Sequence, residues 1–197
     1  MIVVRDGGVM LGRVVCRGVV TGRVTRLWSP VCPYPMRGEA PAGVMPPLVV
    51  GQRLWLREFC RAVAWETGQA MAQYRADGAF ARVEDGDAWR SLRKAKAAIW
   101  DRWVHPSVMP RWAARFEVTP VEVSLERLQA LDSEDVSGAG IWYSEGRRGW
   151  TRDGQMYSPT ARKAFARWWD GEHAVCDGGR GWVSDPWVWK STLKVER

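Results

Sequence analysis

The sequence is poor in the residues that most often carry chemistry on their own. It has two histidines, His105 and His173, and four cysteines, Cys16, Cys32, Cys60 and Cys176, with no CxxC pair among them. His173 and Cys176 have ligand-like spacing, but zinc takes about four nitrogen or sulfur donors and the neighbourhood offers no further two, so no metal is expected. Scattered thiols suit a reducing cytoplasm. G-x-S-x-G, H-E-x-x-H and the P-loop are all missing, which argues against a hydrolytic triad, a zinc peptidase or a Walker-type nucleotidase. No glycine pair stands between a strand and a helix as a doubly wound nucleotide fold requires, and no cofactor is implied. No segment approaches the roughly 20 apolar residues of a membrane span. Nor does a charged start followed by a long apolar run suggest a signal peptide.

What is present is tryptophan and positive charge. There are 14 tryptophans among 197 residues, each with a broad apolar body and one N–H donor, suited to a core or to a stacking surface. The net charge of +7 favours polyanionic partners. A hydrophobic fraction of 46% and a charged fraction of 26% are those of a globular chain, and the length fits a single domain over residues 1–197.

Along the chain, "GVMLGRVVCRGVVTGRVTRLW" reads equally as strand or helix, because valine favours strands while Val15 and Val19 have helical spacing. Residues 30–50 are dense in proline and glycine and should be irregular. "GQRLWLREF" predicts a strand with Leu54 and Leu56 on one buried face. "DAWRSLRKAKAAIWDRW" predicts a helix from Asp87 to Trp103, with Trp89, Leu92, Ile99 and Trp103 inward and Arg90, Arg93 and Lys94 in solvent. Alternation from Phe116 to Leu125 predicts a strand that Pro120 bulges or places at an edge. Ser133 should cap a short helix ending at Gly138 or Gly140. A second helix is expected from Pro159 to about Trp169, capped by Ser158 and stopped by Gly171, with only one of Trp168 and Trp169 fully inward. "PWVWKSTLKVE" predicts a strand with Trp187, Trp189, Leu193 and Val195 in the core. Intermixed helices and half-buried strands give a mixed α+β class, built on a curved sheet or small β-barrel flanked by helices.

Four stretches, "GQRLWLRE", "YRADG", "HPSVMPRWAARFEVTPVEVSLERLQALDSEDVSGAGI" and "GWVSDPWVWKSTLKVER", together resemble a family of small bacteriophage proteins. These are often described as morphogenesis-related or uncharacterised, and look related to the ASCH domain of the PUA-like superfamily. The resemblance runs from about residue 12 to the end, outside the loop at 32–50 and an insert at about 143–157. It implies a phage protein of the host cytoplasm with a cleft that takes RNA, single-stranded nucleic acid or a modified nucleotide. Some ASCH proteins cleave RNA or deacylate a modified cytidine with a lysine and threonine of a G-x-K-x-x-T segment and a distant glutamate. "GRVTRLW" matches that segment, but Val24 stands where the lysine would be, and valine neither carries a proton nor attacks. Glu58 matches the carboxylate that the phage family carries after its strand, as a general base or hydrogen-bond acceptor.

A base-recognising cleft needs a flat apolar wall, a few donors and acceptors, and cations for phosphate. Thr25 and Glu58 are the candidate catalytic pair, and Arg23, Arg26, Arg57, Arg111 and Trp112 the candidate nucleic-acid contacts. Each has a structural alternative: Arg57 and Glu58 as an ion pair at a sheet edge, Trp112 as a core or lid residue. Three functions therefore stand side by side. One is a binder of nucleic acid or modified nucleotide, the second a nucleoside amidohydrolase or ribonuclease, the third an accessory factor that engages a host or virion protein through a tryptophan-rich patch.

Overall fold

The computed structural model describes residues 3–5, 7–10, 19–20, 22–30, 42–64, 70–82, 102–173 and 181–196. The helix expected at 87–103 lies almost wholly outside these, as do Cys16, Cys32 and Cys176. The chain divides into two compact units that interleave in sequence. One comprises residues 22–52 and 119–194, the other residues 2–21, 53–118 and 195–197. They are called here the helical unit and the arginine unit.

The arginine unit is built from strands. β1 (Val3–Arg5) and β2 (Gly8–Met10) form a tight hairpin in which Val4 faces Val9. Gly7 makes the turn with a φ of 71°, a conformation glycine adopts without the Cβ clash other residues meet. β2 then runs parallel to β4 (Leu54–Arg57), with Val9 beside Leu56. The far edge of β4 meets the start of β8 (Glu117–Arg127), where Leu54 pairs with Val118. A strand with neighbours on both edges has little free surface, and all four residues of β4 are buried rather than the single face expected from its alternation. Beyond it, β5 (Cys60–Ala64), β6 (Ala70–Tyr74) and β7 (Phe80–Arg82) form an antiparallel meander. Trp55, Cys60, Tyr74, Met109 and Ala113 close the core of this unit.

In the helical unit, β8 continues beside β11 (Trp187–Glu196), which pairs antiparallel with β3 (Arg26–Pro30) so that Thr192 faces Arg26. Pro120 lies within β8 without ending it; its carbonyl accepts the Gly51 N–H at 2.8 Å. A hairpin of β9 (Trp142–Ser144) and β10 (Gly149–Thr151) occupies the stretch read from the sequence as an insert. Helix α1 (Ser133–Gly138) is capped one residue earlier than expected, by Asp132, whose carboxylate accepts the Asp135 N–H at 2.7 Å. Asp135 returns the bond to the Asp132 N–H, so two orphan donors are satisfied at once. Helix α2 (Ala161–His173) also starts later, because Thr160 rather than Ser158 accepts the Lys163 N–H. It runs through Gly171, which was expected to stop it. Its buried face carries Phe165 and Trp169, packed against Trp28 and Val188, each such side chain contributing about 1.5–3 kcal/mol of apolar burial. Trp169 is fully buried and Trp168 half-buried, as adjacent positions on a helix require.

The mixed α+β class agrees with the sequence reading, whereas the small-barrel alternative does not: among the described residues the sheets are open. The expected face of β11 is also displaced. Val188 and Ser191 are its most buried residues, while Trp187 and Trp189 are only half-buried. Among the described residues no helix is long and apolar enough to cross a membrane.

Candidate functional site

In the arginine unit the stretch from Pro110 to Val118 turns once and becomes a strand, and that geometry decides where its charges go. A 3-10 turn over Arg111–Ala113 follows Pro110, and β8 begins at Glu117. Between them Arg115 points back towards the end of β4. There Glu58 is wholly buried, at 0% exposure, with its backbone N–H on the Met109 Sδ. Both oxygens of Glu58 are taken by Arg115, from Nε at 3.0 Å and from Nη2 at 2.7 Å. The same guanidinium donates to Asp77 at 2.9 and 3.0 Å and lies 4.0 Å over the Tyr74 ring. Tyr74 in turn donates its hydroxyl to the Ala113 carbonyl at 2.6 Å.

This arrangement sets the protonation of the groups around it. Burial raises the Glu58 carboxyl above its ordinary range, partly offset by the hydrogen bonds from Arg115. Burial also works against charge on Arg115, but the bonds to Glu58 and Asp77 outweigh it and the guanidinium stays protonated. At Asp77 burial, the largest single influence, is overcome by the hydrogen bonds and charge of Arg115 together with the Ala79 N–H, so its carboxyl is held below the usual range. Burial, with Glu58 nearby, pushes the Cys60 thiol up to about 11, which leaves it inert at neutral pH.

Arg115 also lines a cavity of about 490 Å³, together with Arg53, Arg111, Phe116, Glu117 and Glu196. Glu117 accepts from both Arg53 and, at 2.7 Å, Arg111, and these two arginines hold its carboxyl below the ordinary range. The Arg111 guanidinium also sits 5.7 Å from the Trp55 ring. The cavity size is that of a small-ligand site, and its wall carries three guanidinium groups, while the buried Phe116 ring lies beneath that of Arg115. Chemically it can hold an anion by charge.

The residues singled out in the sequence divide between the units. Arg57, Glu58, Arg111 and Trp112 belong to the arginine unit, and Arg23, Thr25 and Arg26 to the helical unit. Arg111 lines the cavity. Arg57 lies 4.1 Å over Trp55 and donates to the carbonyls of Pro106 and Ser107, so it ties a loop to β4. Trp112 packs half-buried against the core of the unit. His105, which had no nucleophile patterned with it, accepts the Ser107 N–H and lies 2.8 Å from the Ser107 hydroxyl, a local cap on the turn that follows.

In the helical unit Arg26 is absorbed by α1, bonding Asp135 at 2.6 Å and Glu134 at 2.8 Å. Arg23 is exposed and stands 5.5 Å from the Trp142 ring. Thr25 has an exposed side chain, while its backbone bonds Gly138 and Leu193. Val24, the position to which the resemblance would assign a lysine, is 2% exposed. Its Cγ2 would stand 2.7 Å from a Cβ at Gly140, whose φ of 82° already demands glycine. The position is a core contact, with no room for a charged amine and no water to solvate one.

Two residues central to the cavity, Arg53 and Arg115, were not singled out in the sequence. Arg115 had a positional signal, since it is the charged residue just before an expected strand. Its acidic partners are 57 and 38 residues away, a separation no local pattern reports. No family model, no curated protein and no solved structure matches the chain.

Proposed function

We propose that the protein binds nucleic acid or a modified nucleotide through the arginine-lined cavity, as a phage-encoded relative of ASCH-like proteins acting in the host cytoplasm. The observation that carries this reading is the wall itself, with Arg53, Arg111 and Arg115 on one cavity. Guanidinium forks match phosphate oxygens. Arg53 and Arg111 share the carboxylate of Glu117, so a phosphate placed there meets two cations held by a common anion. Glu58 serves as a positioning residue that fixes Arg115. Acting as a base would require breaking both of its bonds to that arginine. The packing of Val24 against Gly140 favours a binder over a lysine-dependent hydrolase.

Titration with RNA, single-stranded DNA and duplex DNA at two salt concentrations tests the reading. Affinity should fall with salt, and Arg111→Ala should weaken binding and lower the salt slope by about one. The absence of salt-sensitive affinity for all three polymers would falsify it.

A further inference from the structure

Away from the cavity, the arginine unit carries a second group of rings and cations. Val104 bridges to Cys60, its N–H on the Cys60 carbonyl at 2.7 Å, and is buried. In an extended segment neighbouring side chains alternate, so Trp103 and His105 face away from Val104. Trp103 is 39% exposed, in contrast to the inward position that helical spacing suggested for it. Its ring has the Arg61 guanidinium at 5.0 Å and that of Arg75 at 5.8 Å. Arg75 lies equally 5.8 Å from Phe59, which meets His105 edge-on at 5.2 Å. Arg61 is steadied by Gln73 at 2.7 Å, while Arg75 makes no ion pair among the described residues.

We propose that Trp103, with Arg61, Arg75 and Phe59 around it, is a stacking platform for unpaired nucleobases, so that the ligand is single-stranded and extends beyond the cavity. The inference rests on the proposed function and names its ligand class. An exposed indole between two guanidinium groups has the composition of single-strand binding surfaces, where rings take bases and cations follow the backbone. A duplex cannot use it, because its bases are already paired and stacked. The platform and the cavity are also joined through one turn. Arg75 starts the turn that is closed by the Gly78 N–H on the Tyr74 carbonyl, and Asp77 within it holds Arg115 of the cavity wall.

The test compares a single-stranded RNA of about ten nucleotides, a duplex of the same length and uridine monophosphate, each titrated against the full chain. Trp103→Ala should weaken the single strand about tenfold, leave the monophosphate unchanged and leave the weaker duplex binding unchanged. Trp103→Phe should restore most of the loss, and Arg75→Ala should reproduce part of it without touching the core. The platform is overturned if Trp103→Ala and Arg75→Ala leave single-strand affinity intact, or if they weaken single strand and duplex alike. In that case monophosphate binding that still depends on Arg111 keeps the cavity reading. Conversely, single-strand binding that depends on Trp103 but not on Arg111 supports the platform and overturns the cavity.

Discussion

The two units differ in the balance of their charge. In the helical unit, the described residues hold eleven basic side chains against ten acidic ones. Arg26 and Lys190 converge there on Asp135, at 2.6 and 3.2 Å, with Glu126 and Glu134 completing the set. In the arginine unit, nine arginines face four carboxylates. Arginines lie against rings in both units, Arg57 on Trp55 and Arg61 and Arg75 on Trp103 here, Arg127 on Trp187 and Arg152 on Trp168 in the helical unit. Balanced charge in the first case makes structure. Among the described residues the positive surplus thus falls almost wholly in the second, and the proposed function assigns that surplus to an outside polyanion.

The largest test of this contrast is Arg115→Ala. It strands Glu58 in a fully buried place, and breaking a buried pair costs about 3–5 kcal/mol, read as a fall in the denaturant midpoint. Glu58→Gln should cost less than Arg115→Ala, because no bare charge remains; equal losses would show that Arg115 acts by packing alone. Arg26→Ala should cost about 2 kcal/mol, since Lys190 still reaches Asp135, and should leave RNA affinity unchanged. Loss of RNA binding by that variant at intact stability would erase the distinction between the units. Asp132→Ala removes a helix cap and should cost about 1 kcal/mol, again without effect on binding.

The smallest expected effect is on the acid limb of stability. Asp77 has a folded pKa below its ordinary 3.8, so its contribution is present above that value and is lost as pH falls through the folded pKa. Glu58 works the other way: its raised pKa favours the fold most at low pH and less as pH rises through it. Asp77→Asn should therefore flatten the loss of stability below about pH 4, in a series of urea titrations against pH. An unchanged acid limb would place the acid sensitivity in other carboxylates, such as Asp153.

Local signals in the sequence served well where the deciding interaction is local. The strand from Glu117, the helix at Ser133 and the strand at Trp187 all fall where periodicity and turn residues put them. Cap positions slipped by one or two residues because Asp132 and Thr160 are cap-forming residues beside Ser133 and Ser158, and each accepts the N–H three residues on. Of the candidate site, Arg111 was legible from its place before a strand. The roles of Arg53 and Arg115 were not, whatever their position, because they depend on Glu117 and on Glu58 with Asp77, brought near by pairing between distant strands.

By itself, the sequence determined the mixed α+β class, the net charge of +7 and the apolar valine at position 24, since these follow from side-chain type and short-range spacing. Only tertiary structure decided that Val24 is a core contact, that Glu58 is sealed beneath Arg115 and that Trp103 faces solvent. Burial and charge pairing are properties of residues far apart in the chain, and they exist only once β4, β5 and β8 have met their neighbours.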